Sequence, residues 1–75
     1  MNLEALLKSL IKKRHKDDLH SSMCYFKSGR VAYIYANLDK SLSVDIRDEN
    51  VHHNHISVEE VLEMFDGDSL VDYSV

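Results

Sequence analysis

Three histidines in four residues, His52-His53-Asn54-His55, form the densest chemistry-bearing cluster of the sequence. Imidazole is the commonest protein ligand for zinc, copper and nickel, and it titrates near neutral pH. On an extended backbone His53 and His55 share a face, with Asp48 or Glu49 near enough in sequence to add a third ligand. The spacing is not that of a helical H-E-x-x-H site, and no second cysteine supplies a thiolate pair. A catalytic zinc needs three ligands held in place by further hydrogen bonds, which a polar connection over 48–56 does not offer. His52, His53 and His55 are therefore expected to form a solvated loop that binds metal weakly at most, with metal binding by the histidine loop and pH sensing as the alternatives. No cofactor is expected.

Other chemistries have less support. Cys24 is the single cysteine, which excludes an intrachain disulfide and the four-cysteine zinc patterns. It falls in a segment expected to be a buried strand, where a cysteine acts as a small core residue rather than a nucleophile. Two glycines cannot build a phosphate-binding loop or a dinucleotide fingerprint, and no G-x-S-x-G elbow occurs. The carboxylates lie on exposed faces, where the raised pKa of a general acid is not expected. Asp66-Gly67-Asp68 is too short for a calcium loop. The chain is expected not to be an enzyme.

The net charge of −4 is unevenly distributed. Residues 1–37 carry seven basic and three acidic side chains; residues 38–75 carry two basic and ten acidic ones. Such a split points either to a charged partner or to two ends that neutralise each other. The basic run Lys12-Lys13-Arg14-His15-Lys16 has two readings as well. Lys12, Lys13, Arg14 and Lys16 could contact nucleic acid, or they could complement the negative end of a helix dipole. The run has no interleaved aromatics and two aspartates follow it, which favours the second reading and makes nucleic acid an unexpected partner.

The elements that carry these residues can be read from periodicity. Leu3, Leu6, Leu7, Leu10 and Ile11 mark one face of a helix over 3–16, with Asn2 as N-cap and Glu4–Lys8 as an i, i+4 pair. Residues 22–27 predict a first strand, with Cys24 and Phe26 on one face and Met23 and Tyr25 on the other. Ser28-Gly29-Arg30 is a tight turn. Val31-Ala32-Tyr33-Ile34-Tyr35-Ala36 is the strongest strand signal and the expected centre of the sheet. Its small face (Ala32, Ile34, Ala36) fits beneath a helix, and its Tyr33 and Tyr35 face points away. Leu42, Val44 and Ile46 alternate with Ser43, Asp45 and Arg47 in a third strand. Ser57 and Glu60 make a capping box, Ile56 and Val61 a hydrophobic staple, and a second helix over 57–66 ends with Gly67 at C′. Residues 69–75 are either an edge strand or a loose tail.

The expected fold is thus a single α+β domain over 1–75. A three-stranded antiparallel meander carries two helices packed on one face, with a possible C-terminal edge strand. The expected core is Leu3, Leu6, Leu7, Leu10, Cys24, Phe26, Ile34, Leu42, Val44, Ile46, Val61, Leu62 and Phe65. A chain of 75 residues buries only roughly 60% of its unfolded surface, so completion by a second copy is a further possibility. With no signal peptide and no apolar run near the roughly 20 residues that span a bilayer, a soluble cytoplasmic protein is expected.

The helix–strand–strand–strand–helix order resembles the double-stranded-RNA-binding domain, a shape shared by small mRNA-cleaving toxins that use a histidine on the sheet. Where those toxins carry glycine-serine-histidine-histidine on the first strand, this chain has Ser21-Ser22-Met23. The resemblance implies an RNA-binding or RNA-cleaving alternative that uses the basic end of the first helix with His52, His53 or His55. The second helix is acidic where RNA-binding members are basic. The residues themselves favour a small, non-enzymatic protein–protein interaction module, regulatory or inhibitory, of the size and charge of phage or mobile-element inhibitors. Tyr25, Tyr33, Tyr35 and Arg47 are its expected contact residues, and the partner is a second copy or a host protein.

Overall fold

A computed structural model describes residues 2–14 and 20–74. The elements run α1 (Leu3–Arg14), β1 (Ser21–Phe26), β2 (Val31–Ala36), β3 (Leu42–Ile46), a 3-10 turn (Arg47–Glu49), β4 (Val51–Ile56), α2 (Val58–Met64) and β5 (Leu70–Ser74). All five strands form one antiparallel sheet in the order β4-β3-β2-β1-β5. The fold is α+β, with the expected meander at its centre and the C-terminal segment as an edge strand. Val75 lies outside the described residues, as do His15 and Lys16, the expected end of the first helix. No helix among the described residues is long and apolar enough to cross a membrane.

The central strand explains the layering. Ala32, Ile34 and Ala36 are buried, and their register partners Cys24, Val44, Ile46 and Leu42 are buried beside them. The two alanines leave room for α1 to approach β2, placing Leu7 and Leu10 in the same core. Each such leucine, fully buried, contributes roughly 1.5–3 kcal/mol. Leu3, Leu6 and Leu62, expected in the core, are only partly buried and flank it, while Leu70 joins it from β5. They sit at the margins because α1 and α2 lie side by side at the edge of one small layer.

Capping residues set both helix starts. Asn2 Oδ1 accepts from the Ala5 backbone N–H at 3.1 Å, and Glu4 pairs with Lys8 at 3.0 Å. The capping box forms as expected, with Glu60 N–H donating to Ser57 Oγ at 3.1 Å and Ser57 N–H to Glu60 Oε1 at 3.4 Å. Its far end differs from the expectation. Phe65 is the C-cap, so Gly67, at φ 81°, falls one residue beyond C′.

The largest departure is β4, which lies where a polar loop was expected. Val51, His53 and Ile56 pair with the inward residues Ile46, Val44 and Leu42. Two residues, Asn54 and His55, stand opposite the single residue Ser43, and His55 takes φ 55°. This β-bulge inserts one extra residue into the period-two pattern. Without it, the inward set would read as an ordinary alternation ending in a β-branched residue.

A polar latch ties the β1–β2 hairpin to the connection between α2 and β5. Arg30 donates to Asp68 Oδ2 through Nε (3.2 Å) and Nη2 (3.0 Å), and to the Met64 carbonyl through Nη1 (3.3 Å). Its guanidinium lies 4.7 Å from the centroid of the Phe65 ring, which stacks on Phe26 at 4.2 Å. Asp68, 6% exposed, also accepts from the Ser28 hydroxyl, the Ser28 N–H (3.1 Å) and the Ser69 N–H (2.9 Å). The Ser28 hydroxyl is the largest of the influences that hold its carboxyl down to about 2.

Because the carboxyl is depressed in the folded chain, the unfolded chain takes up this proton first as pH falls. The stabilisation from Asp68 is complete above roughly pH 4, where an ordinary aspartate is ionised. It is lost as pH falls toward about 2. Urea midpoints measured from pH 5 to pH 2 are expected to fall in this window, and Asp68→Asn to lower and flatten that part of the profile. Lys40 sits at φ 72° in the β2–β3 turn. Lys40→Gly is expected to raise stability by about 0.5–1 kcal/mol in chemical denaturation.

Candidate functional site: the uncovered sheet face

Both helices pack on one face of the sheet, and every strand turns residues toward the other. The centre of that second face is Met23 and Tyr25 from β1 and Val31, Tyr33 and Tyr35 from β2. Met23 stands opposite Tyr33 and Tyr25 opposite Val31. The Tyr33 and Tyr35 rings lie 5.6 Å apart, tilted by 46°. Tyr25 is 39% exposed, and the other four are half-buried against their neighbours. Polar residues ring this patch: Asp45 and Ser43 across β3, His52 on β4, Asp72 on β5 and Ser21 at the end of β1.

Four of these rim groups, Asp45, His52, Asp72 and Ser43, have partners within the chain. Asp45 Oδ1 binds His52 Nδ1, and Asn54 Nδ2 donates to His52 Nε2 at 3.1 Å. Asp72 Oδ1 accepts from the Tyr73 N–H at 2.8 Å. Ser43, though outward, is buried and accepts from Asn37 Nδ2 at 3.0 Å. Arg47 does not join the tyrosines as expected. It lies in the 3-10 turn, exposed, around an open depression with Asp45, Asp48, Asn50 and His52. Asn50, in the left-handed region at φ 54°, closes that turn and takes the chain off the line of β3 at residue 47.

The histidines point three ways. His52 is on the open face with both ring nitrogens engaged, so the lone pair that a metal would use already accepts from Asn54. His53 is on the helix side, lining a depression with Glu60 and Glu63. The bulge turns His55 toward the β2–β3 turn, where its Nδ1 lies 3.1 Å from Ser41 Oγ and 3.2 Å from Asp39 Oδ2. His53 and His55 therefore do not share a face as expected. Among the described residues, no group of three or more histidines, cysteines and carboxylates is placed to hold a metal.

Ser41, His55 and Asp39 bring together the residue types of a hydrolytic triad, which the sequence did not suggest. Both oxygens meet the same ring nitrogen, whereas a triad uses opposite nitrogens of the imidazole. The Ser41 hydroxyl donates to Asp39, and this bond is the main reason that the Asp39 carboxyl is held below its ordinary value. The trio is a turn lock rather than a nucleophile and its base. Cys24 is fully buried, and burial pushes its thiol above the ordinary range.

The basic end of α1 and the histidines do not form one positive surface among the described residues. Lys13 lines a groove with Tyr73 of β5 at one edge of the sheet, while the histidines sit on β4 at the other edge. Lys12 is exposed, and Lys16 lies outside the described residues. Arg14 is half-buried and borders a depression with His20, Tyr33, Tyr35 and Asn37. Neither His20 nor Asn37 was anticipated, because each sits just outside a strand and joins no sequence pattern.

No protein-family model, curated protein or solved structure matches this chain.

The burial of Cys24 has a measurable consequence. Iodoacetamide at pH 8 is expected to modify the native chain far more slowly than the urea-unfolded chain, because both access and the thiolate fraction are reduced. Equal rates in mass spectrometry would contradict the buried placement.

Proposed function

We propose that this chain is a small, non-enzymatic interaction module that docks a protein partner on its uncovered sheet face. The observation that carries this reading is the patch of Met23, Tyr25, Val31, Tyr33 and Tyr35 within a rim of polar groups. Tyrosine offers a large rigid surface and a hydroxyl at little entropic cost, and it is enriched where binding energy concentrates. Asp45, Ser43 and Asp72 on the rim already have hydrogen bonds within the chain that covering the face would keep.

Two further observations support a docking face rather than an unfinished core or an edge-to-edge assembly. The accessible surface of the chain is 4749 Å². A compact monomer of 8.7 kDa should expose about 4,700 Å², so the fold closes on its own. Both sheet edges are blunted: β4 by its bulge, β5 by the Asp72 carboxylate on the Tyr73 N–H. With no catalytic constellation among the described residues, a chain of this size acts in this reading by occupying a partner's surface, which is a regulatory or inhibitory role.

Site-resolved cross-linking tests this reading. With p-benzoylphenylalanine at Tyr35, irradiation in the source cell is expected to give a discrete adduct. The same group at Glu59, on the helix side, is expected to give none. Tyr33→Glu should weaken the adduct at least about tenfold while leaving the thermal melt cooperative. Light scattering of the purified chain decides whether the partner is a second copy: a doubled mass, returned to 8.7 kDa by Tyr33→Glu, would show it. Adducts from both positions alike, or from neither, would overturn the docking face.

A further inference from the structure

The connection from α2 to β5 contains Asp66-Gly67, the single place in the sequence where an aspartate or asparagine precedes glycine. Every other aspartate and asparagine is followed by a residue whose side chain crowds the next peptide nitrogen. Asp66 and Gly67 are both exposed, and Gly67 sits at φ 81° with open space where a Cβ would lie. The N–H groups on either side are engaged. Asp66 donates to the Glu63 carbonyl at 3.2 Å, and Asp68 to the Phe65 carbonyl at 3.0 Å. The Gly67 N–H between them has no acceptor among the described residues. An exposed carboxyl therefore stands next to an unhindered peptide nitrogen that holds no bond to lose.

We propose that Asp66–Gly67 is a site of spontaneous main-chain rearrangement in the folded protein, and that the rearrangement opens the Arg30–Asp68 latch. The Gly67 nitrogen attacks Cγ of the Asp66 carboxyl in its neutral form. A C–N bond forms and the carboxyl C–O bond breaks. The hydroxyl leaves as water with the amide proton, closing a five-membered succinimide ring. A second water then opens the ring at the former Asp66 α-carbonyl. Its oxygen bonds that carbon, the C–N bond there breaks, and the nitrogen takes up the proton. The product is isoaspartate. Its main chain runs through Cβ and Cγ, and the old α-carboxyl hangs as the side group. One water is lost and one gained, so the mass is unchanged and no other reactant is needed.

The effect on the latch follows from what holds this segment. The Arg30 guanidinium bonds both of its ends, the Met64 carbonyl through Nη1 at 3.3 Å and Asp68 Oδ2 through Nη2 at 3.0 Å. The Asp68 N–H bond to the Phe65 carbonyl spans the same link. Isoaspartate puts one more carbon into the chain between these fixed points, about 1.5 Å of extra length. Hydrogen bonds weaken steeply when stretched or bent, and a turn this tight has no slack to take up the added atom. The chain thus carries a chemical clock that loosens the entry to β5 with age.

Incubation of the purified full chain for weeks in warm, mildly acidic buffer tests the proposal, read by peptide mapping with mass spectrometry. The native chain is expected to accumulate isoaspartate at Asp66 ahead of every other aspartate. It appears as a peptide of unchanged mass and altered retention that endoproteinase Asp-N no longer cuts before residue 66. Asp66→Glu should abolish the product, because the larger ring closes far more slowly. Asp66→Asn should hasten it, with ammonia leaving in place of water. The rearranged fraction, separated by ion exchange, should unfold at lower urea than the fresh chain. Its midpoint should also fall less steeply from pH 5 to pH 2, because Asp68 no longer contributes there. Asp66→Glu stored in parallel should keep the full fall. Isoaspartate confined to the urea-unfolded chain, or no faster at Asp66 than elsewhere, would overturn the site. Isoaspartate at Asp66 with an unchanged pH profile would overturn its link to the latch.

Discussion

Two helices of twelve and seven residues have to cover a sheet of five strands. Strands lie about 4.8 Å apart, so the sheet is roughly 20 Å wide. Two helices packed side by side at about 8–10 Å cover that width once. Among the described residues they cover one face, and no helix lies on the other. This limit decides the character of every strand residue. Most inward positions are Ala, Ile, Leu, Val, Cys and Phe and pack beneath α1 and α2; Ser22 and His53 are the polar ones. Outward positions have to tolerate water, so the tyrosines there, with apolar rings and polar tips, are a compromise between the sheet and the solvent.

A single thin layer also needs means of fixing the helices in place. The shorter helix, α2, has only Val61 fully buried along its length. Its position depends on what happens at its two ends. Ser57 and Glu60 close the start, and Phe65 stacks on Phe26 just past the finish. Arg30 then bonds the Met64 carbonyl and Asp68 together across the β1–β2 hairpin. The hairpin, the helix end and the entry to β5 are thus held by one guanidinium and one carboxylate. This partly buried pair is stabilising because Asp68 also has donors from Ser28 and Ser69.

What could be read from the sequence followed from how regular each element is. The strand Val31–Ala36 alternates small inward and large outward residues without interruption, and its place and faces are as expected. The capping box before α2 is a local bond between residues three apart, so it needs no tertiary knowledge. The β4 strand was missed because its bulge breaks the alternation and because three histidines suggest a solvated loop. The Arg30–Asp68 latch was out of reach for another reason. It joins residues 38 apart, and nothing in either local sequence marks the other as its partner. At the open face, the tyrosines were legible from period two, whereas Arg47 was misplaced by a turn that begins one residue earlier than strand alternation suggested. Arg14 was legible only as charge and His20 not at all, because their place beside Tyr33 and Tyr35 depends on how α1 crosses β2.

The uneven charge of the two halves finds only partial compensation in the fold. Arg30 from the basic half meets Asp68 from the acidic half. Other polar pairs among the described residues stay within one half: the Glu4–Lys8 ion pair in the first, and the hydrogen bonds of His52 with Asp45 and of His55 with Asp39 in the second. The exposed glutamates of α2 and the exposed Lys12 and Lys13 near the end of α1 stand as poles of opposite sign on a layer of helices. A molecule with such poles is oriented by the field of a charged partner before contact, which raises the rate of productive encounter and makes it sensitive to salt. The basic pole adjoins the tyrosine face through Arg14, whereas α2 lies across the sheet from that face. The acidic helix and the aromatic patch therefore lie on opposite faces of the sheet.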